Sequence, residues 1–247
     1  MTVLPAELFA DPVLHALKTR HSHLALIEGD ARRYPVDVAP FAALAKHSEL
    51  ALWELHSLLA PGESVWLMGT DYPQLPELHN EGTLECMQMV LTTAIVEQSS
   101  EVELERLSAA DADAMVALTE IAFPGFFRSR TYEMGAYYGA WLHGQRSSGK
   151  LIAMAGERMA LDGYTEVSGV CTHPEHRGKG LAANLMARVV RDHRKQGVVS
   201  FLHVAATNMR AIELYRRLGF VETRRPVLTR LSRASLPGTD RQPPQRS

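Results

Sequence analysis

The apolar positions of the C-terminal half fall into alternating strand and helix periods. Residues 102–107 alternate apolar and acidic side chains, as a half-buried strand does. Ser108 then reads as a helix N-cap, with Asp111 three residues on where a capping box places its acid. The predicted helix turns Ala112, Met115, Leu118, Thr119 and Ala122 inward and stops before Pro124. Residues 136–143 and 150–161 read as strands joined by the polar stretch 144–149. Asp162-Gly163 is a two-residue hairpin signal into a strand over 164–172. A helix over 180–196 carries its apolar stripe at Leu181, Leu185, Ala187, Val189 and Val190 and closes at Gly197. A short apolar strand over 198–205 follows, then an amphipathic helix over 208–218 capped by Gly219. The last strand spans 220–225 and 227–231, interrupted at Pro226.

The N-terminal half is less regular. Residues 12–18 and 48–59 have helical patterns. Residues 23–27 and 31–34 read as a hairpin around Glu28-Gly29-Asp30, and 64–68 and 84–90 as strands. Residues 72–82 read as a polar loop containing proline. This half is either a small α/β domain of its own or an extension of the C-terminal sheet. The whole order predicts an α+β (mixed α/β) fold with a central, mostly antiparallel sheet flanked by helices. The domain division expected is an N-terminal half over 1–100, a catalytic domain over 101–231 and a disordered tail over 232–247, rich in Pro, Arg, Gln and Ser.

Charge narrows the partners. Twenty-six basic residues stand against 28 acidic ones, so no general basic field points to nucleic acid or membrane. No apolar run reaches the ~20 residues of a membrane helix, and the N-terminus has no signal-peptide pattern. Cys86 and Cys171 form no CxxC pair, which fits a reducing cytosol. His21 with His23, and His173 with His176, lack a third ligand at familiar spacing, so no metal is expected. The reading is a cytoplasmic monomer or homodimer.

The sharpest chemical signal is the stretch 172–182, THPEHRGKGLA. An apolar strand ends at Thr172, Pro174 turns the chain out of the sheet, and Arg177-Gly178-Lys179-Gly180 opens a helix at Leu181 and Ala182. Glycines let the backbone approach a ligand, and the unpaired N–H groups and dipole of a helix N-terminus favour an anion such as a diphosphate. Arg177 and Lys179 add charge. A Walker A loop is absent, and the Rossmann pattern lacks its third glycine and its ribose-binding acid. One strand later comes 208–220, NMRAIELYRRLGF.

Together these motifs resemble the GNAT acetyltransferase superfamily. Its R/Q-x-x-G-x-G/A loop is matched by Arg177, Gly180 and Ala182. Its N-x-x-A-x-x-L-Y-x-x-x-G-F helix is matched by Asn208, Ala211, Leu214, Tyr215, Gly219 and Phe220. The resemblance covers about residues 102–231. The strands at 154–158 and 166–172 resemble the bacterial branch related to glycine N-acyltransferases, in which the N-terminal half is often a degenerate copy. The resemblance implies acetyl-CoA as cosubstrate and an amine or amino-acid acceptor. A non-catalytic acyl-CoA-binding module is the alternative.

An amine attacks a thioester only when neutral, and a free alkylamine has a pKa of about 10. Glu166 is the candidate general base, acting directly or through water. A strand period of two would place it on one face with Ser168, Val170 and Thr172, and Cys171 on the other. The resemblance implies a backbone N–H near Val170 as oxyanion donor and the pantetheine arm along Val170, Cys171 and Thr172. It implies Tyr215 as proton donor to the leaving thiolate and Asn208 as both helix cap and cofactor contact. The acceptor pocket is expected near 122–133 and 144–149, with Phe123, Phe126, Phe127, Tyr132, Tyr137 and Tyr138 as aromatic material. Arg128 and Arg130 are candidates for a carboxylate.

Overall fold

Apolar side chains at these periods close separate cores, and a computed structural model describes how for residues 6–93 and 103–234. Along the chain run α1 (Ala6–Ala10), α2 (Pro12–Lys18), β1 (Leu26–Glu28), β2 (Ala31–Arg33), β3 (Ala42–Leu44), α3 (Glu49–Leu58), β4 (Ser64–Met68) and β5 (Leu78–Leu91). Then come β6 (Glu105–Arg106), α4 (Ala112–Ala122), β7 (Tyr137–Trp141), β8 (Leu151–Leu161), β9 (Tyr164–Thr172), α5 (Leu181–Lys195), β10 (Val199–Ala205), α6 (Met209–Arg217), β11 (Phe220–Arg224) and β12 (Val227–Arg233). The fold is mixed α+β. No described helix is long and apolar enough to cross a membrane.

The chain forms two compact units. One holds residues 1–35, 40–86 and 226–247, the other 36–39 and 87–225. This division differs from a single cut at residue 100. Pro226 does more than interrupt a strand: β11 pairs with Gln88–Leu91 of β5 in the second unit, whereas β12 pairs with β4 and with Leu78–Glu85 in the first. Residues 232–233, expected in the tail, complete β12, and 235–247 lie outside the described residues.

In the first unit, β1, β2 and β3 make a small antiparallel sheet. The Ser48 hydroxyl accepts from the Ala51 N–H and starts α3, whose Leu52 and Leu55 are buried with Val65, Leu67 and Leu231. Arg33 is buried and fully engaged: it donates to the carbonyls of Tyr34 (2.9 Å) and Leu58 (3.0 Å) and pairs with Glu63. Two expectations are corrected here. β3 was not foreseen, and residues 78–82 belong to β5 rather than to a loop. A three-residue strand and a strand of exposed polar residues give little periodicity to read.

In the second unit the strands lie in the order β5–β10–β9–β8–β7–β6. β6, β7, β8 and β9 pair antiparallel, and β9 and β10 pair parallel. The expected strand over 102–107 shrinks to Glu105–Arg106, and residue 102 lies outside the described residues. Side chains alternate between two cores along β8. Ala153 and Ala155 face α5 and α6, with Leu185, Val189 and Ile212. Met154 faces α4, with Met115, Leu118, Phe127 and Tyr137. The capping box forms as the sequence predicts: Ser108 N–H donates to the Asp111 carboxylate at 2.8 Å. His193 of α5 lies 2.8 Å from Ser200 Oγ and 3.2 Å from Glu157 Oε1, and pins the helix to β8 and β10.

Gly156 of β8 is where the ring of Tyr137 lies. A Cβ on Gly156 would overlap the Cδ1 and Cγ of that ring and the carbonyl oxygen of Ala136. Gly156→Ala is therefore expected to destabilise the protein by about 1–3 kcal/mol through overpacking. Urea unfolding checks this, and an unchanged midpoint would refute the packing described.

Candidate active site

Strands β9 and β10 run together only briefly. Their parallel register covers Val199–Phe201 against Tyr164–Glu166, yet β9 continues to Thr172 and β10 to Ala205. The two strands part beyond Glu166. A second irregularity sits just past that point. Gly156 pairs with Ser168 and Met154 with Cys171, so β9 spends one more residue than β8 between the two pairs. Gly169, at φ +62°, takes the left-handed conformation such a bulge requires. Gly169 and Val170 thus have no register partner of their own on β8.

The bulge corrects the expected faces. Cross-strand partners share a face, so Ser168 and Cys171 lie on the side that carries Glu166, Met154 and Tyr137. Val170 packs against the α5 side, away from Glu166. Cys171 remains a buried thiol, pushed up to about 12 by burial, and is not a nucleophile.

Glu166 is 0 % exposed. Arg158 Nε and Nη2 donate to its two oxygens at 2.8 and 2.7 Å, and His203 Nδ1 lies 2.8 Å from Oε1. His203 Nε2 in turn lies 2.9 Å from the side-chain amide of Gln88, itself fully buried. Burial alone would raise the carboxyl's pKa. The charge and fork of Arg158 and the bond from His203 outweigh it and hold Glu166 at about 2. Taking a proton from an alkylammonium of pKa about 10 would then be uphill by on the order of 10 kcal/mol. Arg158 and His203 thus make Glu166 a weak base. Arg158, His203 and Gln88 were not named from the sequence, because Arg158 and His203 reach Glu166, and Gln88 reaches His203, from three other strands.

At the other end of β9, Pro174–His176 forms one 3-10 turn, and Gly178 and Gly180 both take left-handed conformations, at φ +80° and +74°. Gly180 is the N-cap of α5, and Arg177, Gly178, Lys179 and Gly180 are all exposed. A Cβ on Gly178 would meet nothing within 4 Å, so the space over the loop is open. Leu181 is buried in the α5 core and fixes the helix start. The structure also brings Glu175 to His173 and His176, with three ligand atoms within 4.8 Å of one another. Lys150 already lies 3.5 Å from Glu175, and Lys179 lies 3.5 Å from His176, so positive charge occupies that cluster's surroundings.

Asn208 caps α6 through its side chain, which accepts from the Ala211 N–H at 3.2 Å. Tyr215 is buried among Leu185, Leu218 and Phe220, and burial pushes its phenol well above the ordinary value, so it stays protonated. Of the two arginines expected near the acceptor, Arg130 is engaged: it forks onto Glu133 at 2.7 Å and pairs with Asp37 at 3.2 Å. Tyr138 belongs to the opposite face, where its hydroxyl donates to Asp192 at 2.5 Å.

Residues 143–227 match the family described as FR47-like protein. The chain is similar to the crystal structure of an acetyltransferase from the GNAT family of Novosphingobium aromaticivorans. The two are 34% identical with a TM-score of 0.81, over 92% of this chain and 98% of the other. Over 74 residues it is 35% identical to the L-methionine sulfoximine/L-methionine sulfone acetyltransferase of Salmonella typhimurium, spanning 29% of this chain and 43% of the relative. Over 76 residues it is 34% identical to the ribosomal protein bS18-alanine N-acetyltransferase of Escherichia coli, spanning 30% of this chain and 51% of the relative. The chain thus spans about half or less of the length of these curated relatives.

Glu166 has a pKa below its ordinary 4.5, so its stabilising effect is full above that value and is lost as the pH falls towards about 2. Glu166→Gln leaves the Arg158 charge without its carboxylate and is expected to cost on the order of 3 kcal/mol at pH 7. Its unfolding free energy should also vary less than that of the wild type between pH 4.5 and 2. Equal stability of the two proteins at pH 7 would show that the ion pair is not what holds this carboxylate.

Proposed function

The chain belongs to the GNAT family of acetyltransferases, and on that premise we propose that it transfers an acetyl group from acetyl-CoA to a primary amine of a small molecule such as an amino acid. The observation that carries this reading is the exposed Gly178/Gly180 turn at the head of α5, reached directly from the strand that parts from β10. The first N–H groups of α5, with Arg177 and Lys179, take the pyrophosphate. Thr172, Cys171 and Val170 offer backbone groups to the pantetheine arm along the parted edge of β9, and Asn208 and Ala211 meet it from the start of α6. The N–H near Val170, outside the ladder with β8, stabilises the oxyanion.

The reaction is a direct displacement in a ternary complex. The amine nitrogen bonds to the thioester carbon and the carbon–sulfur bond breaks. The acceptor attacks as the neutral amine, its ammonium proton already lost to the buffered solvent, and the proton that nitrogen sheds on forming the amide returns through solvent to Tyr215. Tyr215, kept protonated by burial, donates a hydrogen bond to the departing sulfur and passes it the proton. Glu166 serves to anchor His203 and Arg158 where the strands part. The relatives that act on methionine derivatives and on an alanine amine favour an α-amine as acceptor.

Release of free CoA from acetyl-CoA, followed across a panel of amino acids, small amines and short peptides, tests the reading. Binding of acetyl-CoA with no release on any amine would favour a binding module instead. Gly180→Asp, which sets a carboxylate against the pyrophosphate, is expected to abolish calorimetric binding of CoA; unchanged affinity would refute the loop assignment. Tyr215→Phe keeps the ring and its packing. It is expected to lower turnover about 100-fold, the lower end for acid catalysis, with little change in KM for acetyl-CoA. Full turnover of that variant would leave Tyr215 a packing residue only.

A further inference from the structure

Tyr137 lies at the start of β7 and is 1 % exposed. Its ring reaches across β8 to β9. Gly156 gives it room, and a Cβ on Gly169 would come within 3.0 Å of its Cε1. Phe127 meets it edge-on, with 5.4 Å between ring centroids and 89° between planes. The ring is packed, but the hydroxyl is not matched: Oη is buried and has no hydrogen-bond partner among the described residues. Burial pushes this phenol well above its ordinary pKa, and the charges of Arg158 and Glu166 act on it.

A buried hydroxyl without a partner costs about 1–3 kcal/mol, and phenylalanine would fill the same space without that cost. Polar groups kept at such expense need a reason, and one recurrent reason is a ligand. The location supplies one. Tyr137 pairs with Gly156 and Gly156 with Ser168, so the hydroxyl is on the face of Glu166, beside the Gly169 bulge where β9 and β10 have parted.

We propose that the Tyr137 hydroxyl is a hydrogen-bonding group of the acceptor site and holds the entering amine nitrogen beside the bulge of β9. The amine N–H donates to Oη, which turns the nitrogen lone pair towards the thioester carbon. The acceptor takes the place beside the ring where Phe127 now meets it edge-on. This role rests on the transfer reading above and names a residue of its acceptor side.

Tyr137→Phe separates the role from a structural one. The variant is expected to melt at or above the wild-type temperature, because it removes an unsatisfied group. It should bind acetyl-CoA as the wild type does and lose about tenfold in kcat/KM for the acceptor, the size of one hydrogen bond. Tyr138→Phe is the control. It breaks the bond to Asp192 on the opposite face and should lower the melting temperature while leaving kcat/KM for the acceptor unchanged. Wild-type kcat/KM in Tyr137→Phe would overturn the proposal, and so would a lowered melting temperature, which would show a structural partner for the hydroxyl. A wild type that releases no CoA on any amine overturns the transfer reading and this role with it. A wild type that turns over while Tyr137→Phe equals it overturns this role alone.

Discussion

A carboxylate with no exposure to water stands at the last residue pair shared by β9 and β10, and the site is arranged around what keeps it charged. Removing Glu166 from water costs several kcal/mol. Only the bidentate fork from Arg158 and the bond from His203 offset that cost. These partners come from β8 and β10, so the ion network ties three strands together at one level. Above it β9 and β10 pair; below it they separate and expose backbone edges to a ligand. Such a pair is a better lock than a proton acceptor, because the interactions that stabilise the charge are the ones that weaken the base.

The bulge at Gly169 works with this lock. One extra residue turns the faces of β9 over, so Val170 packs with the α5 core while Cys171 joins the core under α4. This needs no unusual side chain. Gly156 and Gly169 allow it by leaving room for one ring, Tyr137, which touches β7, β8 and β9 at once.

Much of this was legible where the signal was local. The Ser108 capping box, the Asn208 cap and the Gly178/Gly180 turn each depend on residues within a few positions of one another, and each stands where the sequence put it. The parity of β9 was not legible. A single glycine in an otherwise alternating strand does not announce an extra residue, and one residue flips every side chain beyond it. The environment of Glu166 was hidden for a different reason. Its partners Arg158 and His203 are 8 and 37 residues away, and only strand order brings them together. Pro226 was seen as a break, but a break does not say that the strand beyond it takes new partners.

Two of the buried tyrosines, Tyr215 and Tyr137, lie on opposite sides of the parted strand. Tyr215 belongs to the core of α5 and α6, and Tyr137 to the core under α4. Both phenols are kept protonated by burial, but their surroundings differ: Tyr215 feels only the Cys171 thiol, whereas Tyr137 lies in the field of Arg158 and Glu166. On the transfer reading, a thioester at the parted strands has Tyr215 on the α5 side and Tyr137 on the α4 side. The leaving group then meets a phenol in an apolar setting, held protonated by burial. The incoming amine meets a phenol beside a neutralised ion pair, where a cation gains little from the carboxylate. On that reading the setting favours the neutral amine, the form able to attack, because the Arg158 charge offsets the Glu166 carboxylate.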